Sequence, residues 1–285
     1  MNQYKRVSII IPTYNRACQL AKTLDSVLCQ TYQQWECIIV DDGSTDHTFA
    51  IAEDYQANDS RFLFVKNKRS KGAQGARNTG LEIAKGDWIC FFDSDDLMYP
   101  NYLEEMLQSE DSGVDVLVCQ ANIVNIQTGD VQGVLDKIHS SNMHVDLLRE
   151  KAYVAYDVTL IRRAKLLEMN LLDETCPSMQ EWDTHIRLSR IANYKAIDNA
   201  LCEWRVGGVD TITNNTNKHV SGLVYIYLKH RCDFRKYAYR HFLNVLSQVI
   251  SKYHNSFELL MKVPELIIYI PIKKLYTLFY GAHKG

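Results

Sequence analysis

Between Val7 and Val118, short apolar runs rich in β-branched residues alternate with stretches whose apolar residues recur at helical spacing. Val7–Ile11, Cys37–Val40, Phe62–Val65, Trp88–Phe92 and Val114–Val118 read as buried strands. Between them, Ala17–Cys29 puts Leu20, Leu24, Val27 and Leu28 on one helical face, and a second helix starts near Asp46. A third covers Ala73–Ala84, and a fourth covers Pro100–Leu107 with proline in its first turn. Such alternation restricts the chain to βαβ units, right-handed crossovers and a largely parallel sheet. From Gly129 to Val209 the pattern is less regular: Thr159–Met169 and Glu181–Ile191 read as helices, and Tyr194–Val206 as a strand.

Polar and charged residues collect just after strands one, two and four, the edge where such sheets bind ligands. Phe92-Asp-Ser-Asp-Asp96 puts three carboxylates at the end of the fourth strand. They cannot belong to an apolar core, because burying unpaired charge is costly. Two Asp one residue apart, with a third adjoining, suit a hard divalent cation that also holds a phosphate. The competing reading is an acidic turn that caps the next helix. Ile10-Ile-Pro-Thr-Tyr-Asn15 ends strand one and exposes backbone groups and an aromatic ring at the same edge. Val40-Asp-Asp-Gly-Ser-Thr-Asp46 ends strand two; a carboxylate there can accept hydrogen bonds from a base or a ribose, while Ser44 and Asp46 suit helix capping. Lys71-Gly-Ala-Gln-Gly-Ala-Arg-Asn-Thr-Gly80 looks like a phosphate loop but has neither P-loop nor dinucleotide-fingerprint spacing. Arg77 and Asn78 are its ligand-facing candidates.

Ile-Pro-Thr-Tyr-Asn, Val-Asp-Asp-Gly-Ser-Thr-Asp, Ala-Arg-Asn-Thr-Gly and Phe-Asp-Ser-Asp-Asp, in this order and spacing, resemble glycosyltransferase family 2, strongly over about the first 125 residues and more weakly to about 210. The resemblance implies the GT-A fold: an α/β, Rossmann-like, mostly parallel sheet flanked by helices, here with a helical C-terminal extension. It divides the chain into a transferase domain at 1–215 and a tail at 216–285, with nucleotide-sugar binding in 1–125 and acceptor binding in 126–215. It implies a nucleotide-sugar donor, most often a UDP-sugar, and a Mn²⁺ or Mg²⁺ cofactor. Asp42 matches the family residue that meets the uracil, with Asp41 in support. Pro12, Thr13 and Tyr14 line the base, Tyr14 stacking on it, and Arg77 lies near the nucleotide or its phosphates. Asp93, Ser94 and Asp95 match the Asp-x-Asp signature; Asp95 is the direct metal ligand, and Asp93 lies nearer the ribose or a metal-bound water. In Gln180-Glu-Trp-Asp-Thr-His-Ile-Arg187, Glu181 falls where the family's catalytic base sits, with Asp183 as a further acidic residue. One departure concerns Glu203-Trp-Arg-Val-Gly-Gly208, where Gly207 stands in place of a family histidine; His185 and His219 are the alternatives, and both read better as packing or surface residues. The implied reaction is an inverting displacement that adds one sugar per encounter.

The formal net charge of -2 gives no sign of a nucleic-acid binder. Charge is unevenly spread, however: from Lys218 onward there are 11 basic and 3 acidic residues, whereas the preceding chain has 21 and 31. The basic, aromatic tail suits a membrane interface, with a helical packing arm or a homodimer surface as the competing reading. Together with the family resemblance it points to a lipid-linked saccharide acceptor in O-antigen or capsule assembly, on the inner face of the cytoplasmic membrane. The eight cysteines form no CxxC pair and read as reduced thiols, not a zinc site. Two other classes compete: a sugar-nucleotide nucleotidyltransferase, which needs a glycine-rich basic loop after strand one, and a non-catalytic binding protein on the same fold.

Overall fold

A computed structural model describes residues 6–136, 138–207 and 216–250, with side chains in the last stretch described for 218–245. The chain alternates β1 (Val7–Thr13), α1 (Ala17–Leu28), β2 (Trp35–Asp41), α2 (Thr48–Asn58), β3 (Phe62–Lys66), α3 (Ala73–Ile83) and β4 (Trp88–Phe91). Then follow β5 (Leu97–Met98), α4 (Tyr102–Gln108), β6 (Val116–Asn125), β7 (Val131–Leu135), α5 (Met143–Leu148), β8 (Thr159–Arg162) and α6 (Arg163–Glu168). The last elements are α7 (Gln180–Leu188), β9 (Tyr194–Val206), α8 (Thr216–Lys229), α9 (Arg231–Asp233), a π-helical turn (Phe234–Ala238) and α10 (Tyr239–Ile250).

One sheet runs in the order β3-β2-β1-β4-β8-β6-β9-β5, with β7 on β6. The first four strands are parallel, so β1 and β2 read as unbroken apolar runs buried on both faces. Each such side chain contributes roughly 1.5–3 kcal/mol relative to exposure. Thr13 pairs with Asp41 in register, so both strands end at one level. β4 stops at Phe91, opposite Ile10, and releases Asp93 at the same edge.

Two readings are corrected. Thr159–Arg162 is a strand antiparallel to both β4 and β6, and the helix begins only at Arg163. The fifth predicted strand runs on to Asn125, where it pairs in parallel with β9.

The first part of the tail packs on the domain. Val220, Leu223, Ile226, Tyr227, Phe234 and Phe242 join the same core as β1 and β2. Phe234 meets Trp182 of α7 edge-on at 5.8 Å, and Tyr227 stacks on Phe242 at 4.2 Å. Gly222 permits close approach of α8, because a Cβ there would stand 2.1 Å from the Ser178 hydroxyl oxygen. Residues 251–285, which carry most of the expected membrane-facing stretch, lie outside the described residues. No helix among the described residues is long and apolar enough to cross a membrane.

Candidate active site

The loops after β1 and β2 are sewn together. Asn15 takes a left-handed conformation with φ 51°. Its amide donates to Ser44 Oγ at 2.9 Å, and its side-chain oxygen accepts from the Thr45 amide at 2.8 Å. Asp46 accepts from the amides of Ala17 and Thr48, at the starts of α1 and α2. Asp41 is buried and folds its carboxylate onto the Gly43 and Ser44 amides at 3.1–3.2 Å, which makes it a turn former. Asp42 accepts from Asn67 Nδ2 at 2.7 Å and from the Gly72 amide at 2.8 Å. Tyr14 is exposed, with Lys71 Nζ 5.2 Å from its ring centre. Thr13 is buried and Pro12 half-buried at the end of β1.

The glycines of α3 serve clearance. A Cβ on Gly75 would fall 1.9 Å from the Ser70 carbonyl oxygen, so hydrogen alone lets the 67–72 loop cross the helix. That loop is fastened by Glu174, which accepts from Arg69, from the Ser70 hydroxyl and from Asn78 Nδ2. Asn78 also donates to the Leu172 carbonyl, so it fastens the loop and does not face a ligand.

Arg77 is buried and lies 4.4 Å over the Tyr156 ring. Its guanidinium donates to Asp93 at 2.6 Å and to Gln74 at 3.1 Å. Arg77 therefore fixes the orientation of Asp93. The Asp93 amide in turn donates to Asp157 at 2.6 Å.

Carboxylate oxygens of Asp93, Asp96 and Asp157 all lie within 4.8 Å of one another. Ser94 is buried beneath the turn. The Asp95 side chain is 39% exposed, 3.9 Å from Arg16, while that of Asp93 is 38% exposed. Asp93 and Asp95 are thus the open carboxylates, and Asp96 and Asp157 stand buried behind them. The Arg205 amide, at the end of β9, donates to Asp96 at 2.7 Å. Burial, then neighbouring Asp charges, pushes the carboxyls of Asp95, Asp96 and Asp157 up. Arg77 and Arg16 offset only part of this negative charge. An all-oxygen set of this density fits a hard divalent cation.

Glu181 lies in the first turn of α7, which follows the left-handed Met179 (φ 55°). Burial pushes its carboxyl up, Arg77 pulls it down, and Asp93 adds to the rise. Glu181 therefore sits within electrostatic reach of both residues. A carboxyl moved toward neutral pH is suited to proton transfer. Asp183, two residues on, points the other way, to His230 and Lys229.

The structure thus brings Arg77 onto Asp93 next to Asp95, with Glu181 within electrostatic reach of Arg77 and Asp93, and sets Asp41, Asp42 and Tyr14 after β1 and β2 at the same sheet edge. Asp96, read from the sequence only as the adjoining third carboxylate, belongs to the cluster with Asp93, and Asp157 and Tyr156 join it without having been read as site residues. Gly207 is a turn glycine (φ +87°) beside Asn125. His185 is a packing residue: it is buried, 3.0 Å from the Tyr194 hydroxyl, and burial lowers its pKa to about 3. His219 is exposed on α8.

A family model described as glycosyl transferase family 2 matches residues 8–168, and the chain belongs to that family. It is 46% identical over 99 residues to UDP-Glc:alpha-D-GlcNAc-diphosphoundecaprenol beta-1,3-glucosyltransferase WfgD of Escherichia coli, covering 34% of this chain and 38% of that protein. It is 34% identical over 125 residues to the glycosyltransferase GlyG of Streptococcus pneumoniae serotype 4, covering 44% and 41%. These matches span about two fifths of each relative's length. The fold resembles S. aureus TarS 1-349, solved with UDP-GlcNAc, with a TM-score of 0.65, 20% identity and coverage of 88% of this chain and 73% of that one. It also resembles the mannosyltransferase PcManGT of Pyrobaculum calidifontis, solved with GDP-Man and Mn²⁺, with a TM-score of 0.61, 18% identity and coverage of 97% and 84%. Both likenesses are likenesses of the GT-A fold.

Proposed function

We propose that this family 2 glycosyltransferase moves one sugar from a UDP-sugar to a hydroxyl of a lipid-linked saccharide, with inversion, in the assembly of a cell-surface polysaccharide. The observation that carries this reading is the Asp93, Asp96 and Asp157 cluster with Arg77 bonded to Asp93 and the open Asp95 next to it, within electrostatic reach of Glu181. In it, Tyr14 and Asp42 receive the base. Asp95 and Asp93 hold Mn²⁺ or Mg²⁺ from the open side, with Asp96 and Asp157 behind. When bound, that cation supplies charge neutralisation for the nucleoside diphosphate. Glu181 takes the proton of the acceptor hydroxyl, whose oxygen bonds to the anomeric carbon as the bond to the diphosphate breaks. Arg77 holds the Asp93 carboxylate in place. The relative WfgD, named for UDP-Glc and a diphosphoundecaprenol-linked acceptor, supports the donor and acceptor classes. The basic, aromatic residues of the tail support contact with an anionic membrane surface.

The nucleotidyltransferase reading lacks its loop: the turn after β1 is Pro12-Thr13-Tyr14-Asn15, held to Ser44 and Thr45. The test is release of free UDP from a panel of UDP-sugars, with and without Mn²⁺, using wild type and Glu181→Gln. Wild type releases UDP with metal, and Glu181→Gln binds UDP normally while turnover falls by roughly 10²–10⁴. Turnover retained by Glu181→Gln removes Glu181 from the base role.

A further inference from the structure

Tyr153 and Trp204 stack beside the carboxylate centre, with ring centroids 6.2 Å apart and planes 19° from parallel. Trp204 lies on β9 opposite Ile123, one residue before the Arg205 amide that holds Asp96. Tyr153 lies between α5 and β8, four residues before Asp157. Burial, then the charges of Glu181, Asp157 and Asp93, pushes its phenol up, so all three carboxylates are within electrostatic reach. Yet Tyr153 keeps 38% of its surface exposed. An open aromatic ring beside a cluster of carboxylates gains little from the core. It offers an incoming molecule a flat apolar face with hydrogen-bonding groups at its rim.

Sheet order fixes which substrate this face meets. The base pocket is built at the ends of β1 and β2, and the carboxylates follow β4. β9, which carries Trp204, lies beyond β4, on the opposite side from β2. The aromatic pair therefore flanks Glu181 and Asp96 on the side away from the nucleotide base.

We infer that Tyr153 and Trp204 form a stacking platform for a pyranose ring of the acceptor saccharide, which turns an acceptor hydroxyl toward Glu181. The inference rests on the glycosyltransferase reading of the same site and adds the residues that choose its acceptor. A pyranose has one face of C–H bonds that packs on an aromatic ring, and its equatorial hydroxyls project to the rim, where the Tyr153 hydroxyl lies within electrostatic reach of Glu181. The neutral phenol donates a hydrogen bond there.

The test uses the whole chain with UDP and Mg²⁺. The probes are the methyl glycosides of glucose, galactose, N-acetylglucosamine and N-acetylgalactosamine, read by saturation-transfer NMR, with UDP affinity measured by calorimetry on the same samples. At least one glycoside receives saturation through its ring C–H protons. Tyr153→Ala or Trp204→Ala weakens its binding about tenfold, the equivalent of about 1.4 kcal/mol. Tyr153→Phe, which keeps the ring, weakens it less than about threefold. UDP affinity stays at the wild-type value throughout. If UDP binds and no glycoside is saturated, or if the alanine variants bind glycoside like wild type, the platform is wrong and the glycosyltransferase reading stands. If UDP does not bind to wild type, that reading falls and takes the platform with it. Loss of UDP affinity in the alanine variants assigns the pair to the donor and overturns the inference. Should an alanine variant melt early, Tyr153→Leu and Trp204→Leu replace it, because they keep apolar bulk without a flat face.

Discussion

His230 Nε2 stands 2.7 Å from Asp183 Oδ1, with both side chains buried. Arg190, which has only donors, faces His230 Nδ1 at 2.8 Å, so the ring proton sits on Nε2 and points at Asp183. Lys229 reaches the other Asp183 oxygen at 2.8 Å. Burial pushes the Asp183 carboxyl up, but the hydrogen bonds from His230 and Lys229 outweigh it and the net direction is down. The tail is thereby tied to α7, two residues from Glu181. Asp183→Asn leaves Lys229 and His230 facing a neutral amide and is expected to lower stability by about 3 kcal/mol. Urea unfolding measures this; a loss below about 1 kcal/mol removes the pair as a tie between tail and domain.

Asp157→Asn has opposite effects on stability and on metal binding. It removes one buried charge from three crowded carboxylates, while its amide oxygen can still accept from the Asp93 amide. The metal-free variant is expected to melt higher than wild type, because mutual repulsion is relieved. Mn²⁺ affinity, followed by the paramagnetic signal of the free ion, falls at least about tenfold. Equal Mn²⁺ affinity in both proteins would place the cation elsewhere.

Glu174 carries a pH signature. Burial raises its carboxyl, but hydrogen bonds from Ser70, Asn78 and Arg69 prevail and bring it from 4.5 to about 2. A carboxyl depressed by folding contributes stability that is complete above its unfolded value and is lost as pH falls through its folded one. Wild type should therefore lose stability between about pH 4.5 and pH 2 more steeply than Glu174→Gln, which has no proton to gain. Urea midpoints at half-unit pH steps compare the slopes, and parallel slopes would sink the assignment.

Gly75→Ala sets two effects against each other. Alanine favours a helix interior by about 1 kcal/mol. Here its methyl would meet the Ser70 carbonyl at 1.9 Å, and backbone cannot turn aside as a side chain can. Overpacking costs about 1–3 kcal/mol and wins. The displaced loop also withdraws the Gly72 amide from Asp42, so UDP binding weakens with stability. Calorimetry that finds UDP affinity intact would show the loop moving without Asp42.

The tail prediction concerns residues beyond 250. Most apolar side chains of α8 and the π-helical turn, among them Leu223, Ile226 and Phe234, face the core, so membrane contact is expected of the later basic and aromatic stretch. Removing residues 256–285 is expected to abolish co-sedimentation with vesicles containing anionic lipid while UDP binding stays unchanged. Co-sedimentation equal to the full chain would refute the assignment.

The first four strands and the three helices between them were legible because each strand is buried on both faces and so spells out an apolar run. β8 was not. Thr159-Leu-Ile-Arg162 is too short to show a period and runs straight into the helical Ala164-Lys-Leu-Leu-Glu168, so only its place between β4 and β6 makes it a strand. Asp93, Asp95 and Glu181 could be read because each sits in a recognisable local pattern. Asp157 sits in none: the residues its carboxylate meets, Asp93 and Asp96, are more than 60 residues away in sequence. The one local signal is a lone carboxylate within Val154–Ile161, which is costly to bury without a purpose. Tyr153 and Trp204 come together only through the sheet, so no spacing rule could have paired them.

β8 has one more consequence. It lies antiparallel between β4 and β6 and bonds to both, so a segment from the second half of the chain closes the edge of the first. A fragment ending near residue 125 would leave Trp88 and Ile89 on an open, apolar strand, inviting pairing with other copies. The first 125 residues are thus no free-standing cassette. Anyone who wishes to exchange acceptor specificity by swapping halves must carry residues 159–162 with the amino-terminal part.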